Sequence, residues 1–234
     1  MSKKLKDHVV CGSDLELKKN LDKIVKKSKF IIRWIDKNLE RTEKSLLLVN
    51  ILNSACDYIE IAKLSINQHI SVLALSTRSI YELNVRLRTL SDENEQKKWE
   101  SEALTDKVQT LEGIISLGSE NEKMQQRALL ELEITRLKNL ATKYNLPIIK
   151  QPASTGNLAK TVGMESEHKG LFKLYSKLVH PSSYLVNDYG NSANVVNQNI
   201  LQVHGQLYAH DIVSRICGEL SIPFEISKPY GVEA

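Results

Sequence analysis

The chain has 234 residues and a formal net charge of +4, with 41% hydrophobic and 26% charged residues, ordinary globular composition with enough length for a sizeable core. Only 10 glycines, 5 prolines and 6% aromatic residues argue against a sandwich or barrel, which would need many more turns, and favour helices. Three distant cysteines (Cys11, Cys56, Cys217) without a CxxC pair indicate neither a zinc ribbon nor a disulfide framework, and the longest apolar run, Leu46–Val49, is far below the roughly 20 residues that span a bilayer.

The opening MSKKLKDHVVCGSD is charged and carries no apolar leader segment, so the expected setting is reducing and cytoplasmic, without a membrane. A first helix is predicted from about Leu15 to Arg41, with Asp14 as N-cap and an apolar stripe through Leu17, Leu21, Ile24, Val25, Ile31, Ile32 and Ile35. Residues 1–44 hold 13 Lys and Arg against 7 Asp and Glu, while the remainder holds 19 against 21. This basic N-terminal helix is either a contact for nucleic acid or a membrane surface, or simply a solvated lysine face.

A second helix, about Lys44 to Asn67, repeats Leu48, Ile51, Leu52, Ala55, Ile59 and Ala62 at core-facing spacing. A third, about Ile70 to Leu90, is apolar on nearly every side and is expected to be central. Ser91 is read as the cap of a polar helix that ends near Gly118, and Ser119 with Glu122 as a capping box opening the next. That helix stops before Leu146-Pro147. Residues 92–144 thus read as an acidic helical hairpin, with 11 acids and 5 bases between Asp92 and Glu133.

Residues 145–168 read as a long loop with one helical turn at NLAKTV. A short helix from about Lys169 to His180 then breaks at Pro181, SSYLVNDYGNS forms another loop, and a last long helix covers about Ala193 to Leu220. The fold expected is all-α: a single helical domain, residues 1–234, in a bundle of six to seven helices, the long ones antiparallel.

Arg78, Glu82 and Arg86 stand four residues apart and share a helix face, so Arg78 and Glu82 form either a structural ion pair or part of an electrostatic site. His180 ends its helix, with Lys173 and Lys177 on nearly the same face and Ser182 and Tyr184 just beyond. Such a strip either binds phosphate, with His180 as general acid or base, or only terminates a helix. His204, Tyr208, Asp211 and Arg215 lie along one face of the last helix, and His204 and His210 are badly spaced for joint metal ligation. No metal site and no cofactor are expected: the chain lacks GxGxxG, Walker A, GxSxG and paired-cysteine motifs.

The stretches LSTRSIYELNVRL (75–87) and LYSKLVHPSSYL (174–185) together resemble a family of uncharacterised bacterial helical proteins of unknown function. Its members carry an Arg-Ser-x-x-Glu helix, matched here by Arg78, Ser79 and Glu82. They also carry a Tyr-x-x-x-x-His-Pro-Ser segment, matched by Tyr175, His180, Pro181 and Ser182. The resemblance spans roughly residues 40–220 and implies an all-α fold.

More distantly the chain is similar to the HEPN superfamily, helical proteins many of which cleave RNA in bacterial defence and toxin systems. Their signature is an arginine, four to six residues, then a histidine near a helix end, often completed across a dimer. Here Lys173 stands six residues before His180 in the arginine's place. The resemblance implies a metal-independent action on RNA or nucleotide phosphate. His180 would be the catalytic group, Lys173, Lys177 and Arg78 the phosphate contacts, and Glu82, Tyr175 and Ser182 the orienting or structural groups. The alternative is a non-catalytic module that binds a partner protein or a second copy, with the Arg78–Glu82 pair purely structural.

Overall fold

The computed structural model describes residues 5–117, 124–147 and 149–229, and among these every regular element is helical. Helix α1 (Asp14–Asn38) begins at Ser13, whose hydroxyl accepts from the Glu16 amide while Glu16 reaches back to the Ser13 amide. This reciprocal capping box, rather than Asp14, fixes the N-terminus. Helix α2 (Glu43–Leu64) starts the same way, with Thr42 and Ser45 exchanging side-chain and backbone bonds. Asn67, in the left-handed region at φ 67°, turns the chain after α2, and its side chain donates to Asp14.

The chain divides into two compact units. One holds residues 1–88 and 155–234. Here α1 packs along α2, and both meet the long α11 (Val195–Glu219), which starts at the Asn194 cap. Ile24, Ile31, Leu48, Leu52, Ile59, Leu201, Ile212 and Ile216 are buried at helical spacing, as the apolar patterns require. By length and composition α2 is apolar enough to cross a membrane, but its Leu48, Ile51, Leu52, Ala55, Ile59 and Ala62 are packed inside this bundle. The segment before α1 is tied to α11 by the Gln206 amide, which accepts from the Val10 N–H and donates to the Val10 carbonyl, both at 3.0 Å.

Helix α3 (Ile70–Thr89) crosses α11, where the Thr77 hydroxyl donates to the Leu201 carbonyl. Asp211 Oδ2 accepts from Asn84 at 2.8 Å, Arg88 at 2.7 Å and Arg215 at 2.7 Å, a clamp between α3 and α11. The expected Asp211–Arg215 pair is thus part of a larger junction.

The second unit, residues 89–154, contains the antiparallel helices α4 (Glu93–Ser116) and α5 (Met124–Lys143). Asp92, not Ser91, caps α4, its carboxylate accepting from the Asn94 amide at 2.7 Å. Glu133 bridges Lys107 of α4 and Arg136 of α5. These neighbours pull the Glu133 carboxyl down to about 2. After Asn145, which has φ 49°, the chain returns along α4, with Ser101 donating to Pro147 and Thr105 to Ile149. The Ser119–Glu122 capping box lies outside the described residues.

The expected count of six to seven helices covers the long ones, and short helices raise it. In the 145–168 connection the turn expected at NLAKTV is part of α6 (Thr155–Thr161), and a further short helix, α7 (Glu165–Glu167), follows. Gly156 sits inside α6, where an added Cβ would come within 3.2 Å of His168 Nε2. It serves a close approach, while Gly163, at φ 75°, ends the helix. A π-helical turn (His168–Phe172) joins α7 to α8 (Lys173–Val179). The SSYLVNDYGNS stretch folds into α9 (Ser183–Asn187) and α10 (Tyr189–Ser192), again not a loop. After α11 comes α12 (Phe224–Ser227).

Candidate functional site

On α3, Arg78 and Glu82 are one turn apart, and Arg78 Nε donates to Glu82 Oε1 at 2.9 Å. Their side chains are 25% and 36% exposed, so this pair stands at the surface of the bundle and not in its core. The Arg78 guanidinium also lies 4.7 Å from the centroid of the Phe172 ring, as a cation–π contact. Its Nη1 is 3.3 Å from Nε2 of His180.

His180 leaves α8 in an extended conformation while its amide still donates to the Ser176 carbonyl. Pro181 cannot continue the helix, so the imidazole stands exposed at its end. A guanidinium only donates, so a hydrogen bond at this contact has His180 Nε2 as its acceptor. Two sequence stretches about a hundred residues apart are therefore joined through one arginine.

The other sequence candidates lie differently. Lys173 and Lys177 are exposed on α8. Among the described residues neither ammonium makes an ion pair or hydrogen bond, including with Arg78 or His180. Ser182 is structural. Its hydroxyl donates to the Lys177 carbonyl at 2.7 Å and accepts from the Leu185 amide, closing α8 and opening α9. Tyr175 points away from His180 into the core, 0% exposed, with its hydroxyl 3.2 Å from His204 Nδ1.

Behind Arg78 lies a layer of aromatic and titratable side chains that single-helix patterns did not reveal. The His168 and Phe172 rings stack at 4.4 Å, brought together by the π-helical turn. The Tyr81 hydroxyl is 3.1 Å from His168 Nδ1, and the Tyr81 ring packs edge-on against Tyr208 at 5.1 Å. The Tyr208 hydroxyl donates to Glu167 Oε1 at 2.5 Å.

Burial pushes the hydroxyl pKa of Tyr81, Tyr175 and Tyr208 upward, with the nearby Glu167 carboxylate adding to each shift. Burial also lowers the pKa of His168 and His204, opposed by Glu82 and Glu167 respectively. The layer is thus neutral and hydrogen-bonded apart from one carboxylate, a firm floor beneath an arginine held by Glu82 and Phe172. The sequence signal available was the face carrying His204 and Tyr208, which marks where α11 meets this layer. Glu167 and His168 fell at the end of what read as a loop, and Phe172 lay in the short helix expected after it, with no signal marking it out.

His210, on the opposite side of α11's pattern, is buried against His8, whose carbonyl accepts from its Nε2 at 3.2 Å. Burial lowers its pKa to about 4. No cluster of three or more metal-ligating side chains occurs among the described residues.

A family model described as a family of unknown function (DUF5677) matches residues 44–195, a span that includes Arg78, Glu82, Phe172 and His180. No curated protein and no solved structure matches the chain.

Proposed function

We propose, for a chain that belongs to the DUF5677 family of unknown function, that the Arg78–His180 pair binds RNA phosphate and that His180 acts there as general acid or base in metal-independent cleavage. The observation that carries this reading is the 3.3 Å approach of Arg78 Nη1 to His180 Nε2 at an exposed helix end.

Cleavage through a 2′-hydroxyl attack builds charge on the phosphoryl oxygens, and a guanidinium fixed beside them stabilises that charge more in the transition state than in the ground state. Glu82 and Phe172 hold the Arg78 guanidinium from two sides, which keeps the cost of ordering it low. An imidazole is the side chain suited to take and return protons near neutral pH.

The reading also answers the lysine at position 173. The HEPN-like pattern asks for an arginine within the same helix as the histidine, and this chain has Lys173 there. The planar, bidentate group comes instead from α3, through Arg78. The reading taken as a whole is of a HEPN-like helical protein, with the bacterial, cytoplasmic setting that this resemblance implies remaining part of the proposal.

The test is incubation of single-stranded RNA with the purified protein in a chelator. Cleavage by the wild type, lost in His180→Ala with an unchanged circular dichroism spectrum, is the expected result. RNA left intact by the wild type refutes the reading.

A second reading is favoured by one observation. Tyr184, Val186, Tyr189, Val195 and Val196 are exposed within thirteen residues, Val195 to 70%. Such an apolar run fits a contact with a partner protein or a second copy, with no catalysis required. Sedimentation of the wild type beside Val195→Asp/Val196→Asp tests the homodimer form: an unchanged monomer in both removes it.

A further inference from the structure

The outward face of α1 carries a stripe that neither the Arg78–His180 reading nor the family match uses. Lys19, Lys23, Lys26, Phe30, Arg33 and Lys37 follow one another at alternating steps of four and three residues, and all are exposed. That spacing places them on one helix face, opposite the buried Leu17, Leu21, Ile24, Ser28, Ile31 and Ile35. From Lys19 to Lys37 the stripe runs about 27 Å at 1.5 Å per residue.

The acids of α1 do not cancel it. The Glu16 carboxylate, close to Lys19, is engaged by the Ser13 amide and hydroxyl at 2.9 and 2.8 Å. Asp22, which feels the Lys26 charge, is paired with Lys63 at 2.7 Å. Asp36 lies on the flank of the face, a quarter-turn or more from the stripe's centre. Five cations therefore line one edge with a single aromatic ring among them, Phe30, 42% exposed. Lys27 lies 5.1 Å from the centroid of that ring, adding a sixth cation beside it.

We propose that this stripe is a binding surface for the phosphate backbone of a single-stranded nucleic acid, read without sequence preference, with Phe30 as a stacking platform for one base. Regular cations on a rigid helix follow a polyanion, and an exposed ring among them gives an unpaired base a face to stack on. A lipid surface fits less well. An interfacial helix buries its apolar face in the membrane, and the apolar face of α1 is already committed to α2 and α11. Only Leu15 and Phe30 offer exposed apolar surface outward, fifteen residues apart.

The inference is independent of whether His180 cleaves anything, so the test measures binding in a His180→Ala background. The probes are labelled oligouridylate and oligodeoxythymidylate long enough to span the stripe, followed by fluorescence anisotropy across a salt series. With five cations engaged, log K should fall against log salt with a slope of about −3.5, a loss on the order of 100-fold between about 50 and 200 mM. Lys23→Gln/Lys26→Gln/Arg33→Gln should reduce the slope to about −1.4. Phe30→Ala should weaken binding at least about fivefold while leaving the slope unchanged.

Glutamine at these exposed helix positions retains helix propensity, and an unchanged circular dichroism melt shows that folding is not the cause. Equal loss for both oligonucleotides supports a backbone reader, and preference for one identifies the natural sugar. Binding unchanged in the triple variant overturns the proposal. So does capture by anionic phosphatidylglycerol vesicles in the absence of oligonucleotide binding. Self-association that disappears in the triple variant, again without oligonucleotide binding, overturns it as well, because the stripe would then meet an acidic surface of a second copy.

Discussion

Replacing Arg78 separates a catalytic group from a structural one, because the structure bounds what it contributes to stability. Its ion pair with Glu82 is an i,i+4 pair at the surface, worth about 0.3–0.5 kcal/mol. The contact with Phe172 adds about 0.5–1 kcal/mol and the bond to His180 about 0.5–1.5 kcal/mol. Together these give about 2 kcal/mol for Arg78→Ala. For a chain of this size that lowers Tm by about 4–8 °C, at about 2–4 °C per kcal/mol. The chemistry should suffer far more. Loss of one oriented donor at a developing anion costs about 100- to 1,000-fold in rate. Arg78→Lys should recover part of the stability and little of the rate, since an ammonium cannot reach Glu82 and His180 as a fork does. Differential scanning calorimetry and single-turnover RNA cleavage on the same samples read both quantities. A Tm drop beyond about 15 °C, with residual activity tracking the folded fraction, would refute the reasoning and leave Arg78 a structural residue.

Other outcomes follow from the same geometry. Asp211→Ala removes the acceptor shared by Asn84, Arg88 and Arg215 and strands partly buried cations, so urea denaturation should show a loss of about 3 kcal/mol. Gln206→Leu unties the Val10 segment from α11, and limited proteolysis should then cut before α1 at a rate the wild type does not show. His210 is held neutral, with its pKa at about 4 against an ordinary value near 6.5, so the unfolded chain takes up this proton first. Its contribution is complete above about pH 6.5 and is lost as the pH falls toward about 4, some 3 kcal/mol in all, and thermal melts of His210→Gln should show a flatter acid limb. Gly156→Ala brings a methyl within 3.2 Å of His168 Nε2 and should destabilise by about 1 kcal/mol while slowing cleavage, through displacement of the ring beneath Phe172.

The long helices were legible because each buries one stripe. Leu17 through Ile35 and Leu48 through Ala62 recur at the spacing of a packed helix face, and nothing else competes for those residues. Capping residues were misplaced by one position at Ser13 and Asp92, since several adjacent polar side chains can each satisfy a first-turn amide. The short helices α9 and α10 were illegible for a different reason, and α6 showed only as a single turn at NLAKTV. They hold four to seven residues, too few to show a period, and they form because neighbouring elements pack on them. For the site, Arg78, Glu82 and His180 stood out through motif and helix-end position. Tyr175 and Ser182 came with the same motif, yet one faces the core and the other closes a helix end, because a linear motif records packing needs and chemical needs together.

That mixture explains how the site is assembled. Tyr81 lies three residues after Arg78 and so shares its helix face, and it packs on Phe172 and Tyr175 of the α8 segment. The π-helical turn sets the register of that segment, placing Phe172 under the guanidinium and His168 under Phe172. From there α8 runs to Val179, and the break at Pro181 leaves His180 beside Arg78. A buried tyrosine–histidine layer is costly to rearrange, since each of its polar groups needs its partner. It therefore fixes where α3 and α8 meet, and with that the position of Arg78, which reaches the exposed His180. On the proposed reading, the lysine at 173 fits this arrangement: a guanidinium supplied by Arg78 of α3 would relieve the position within α8 of that task.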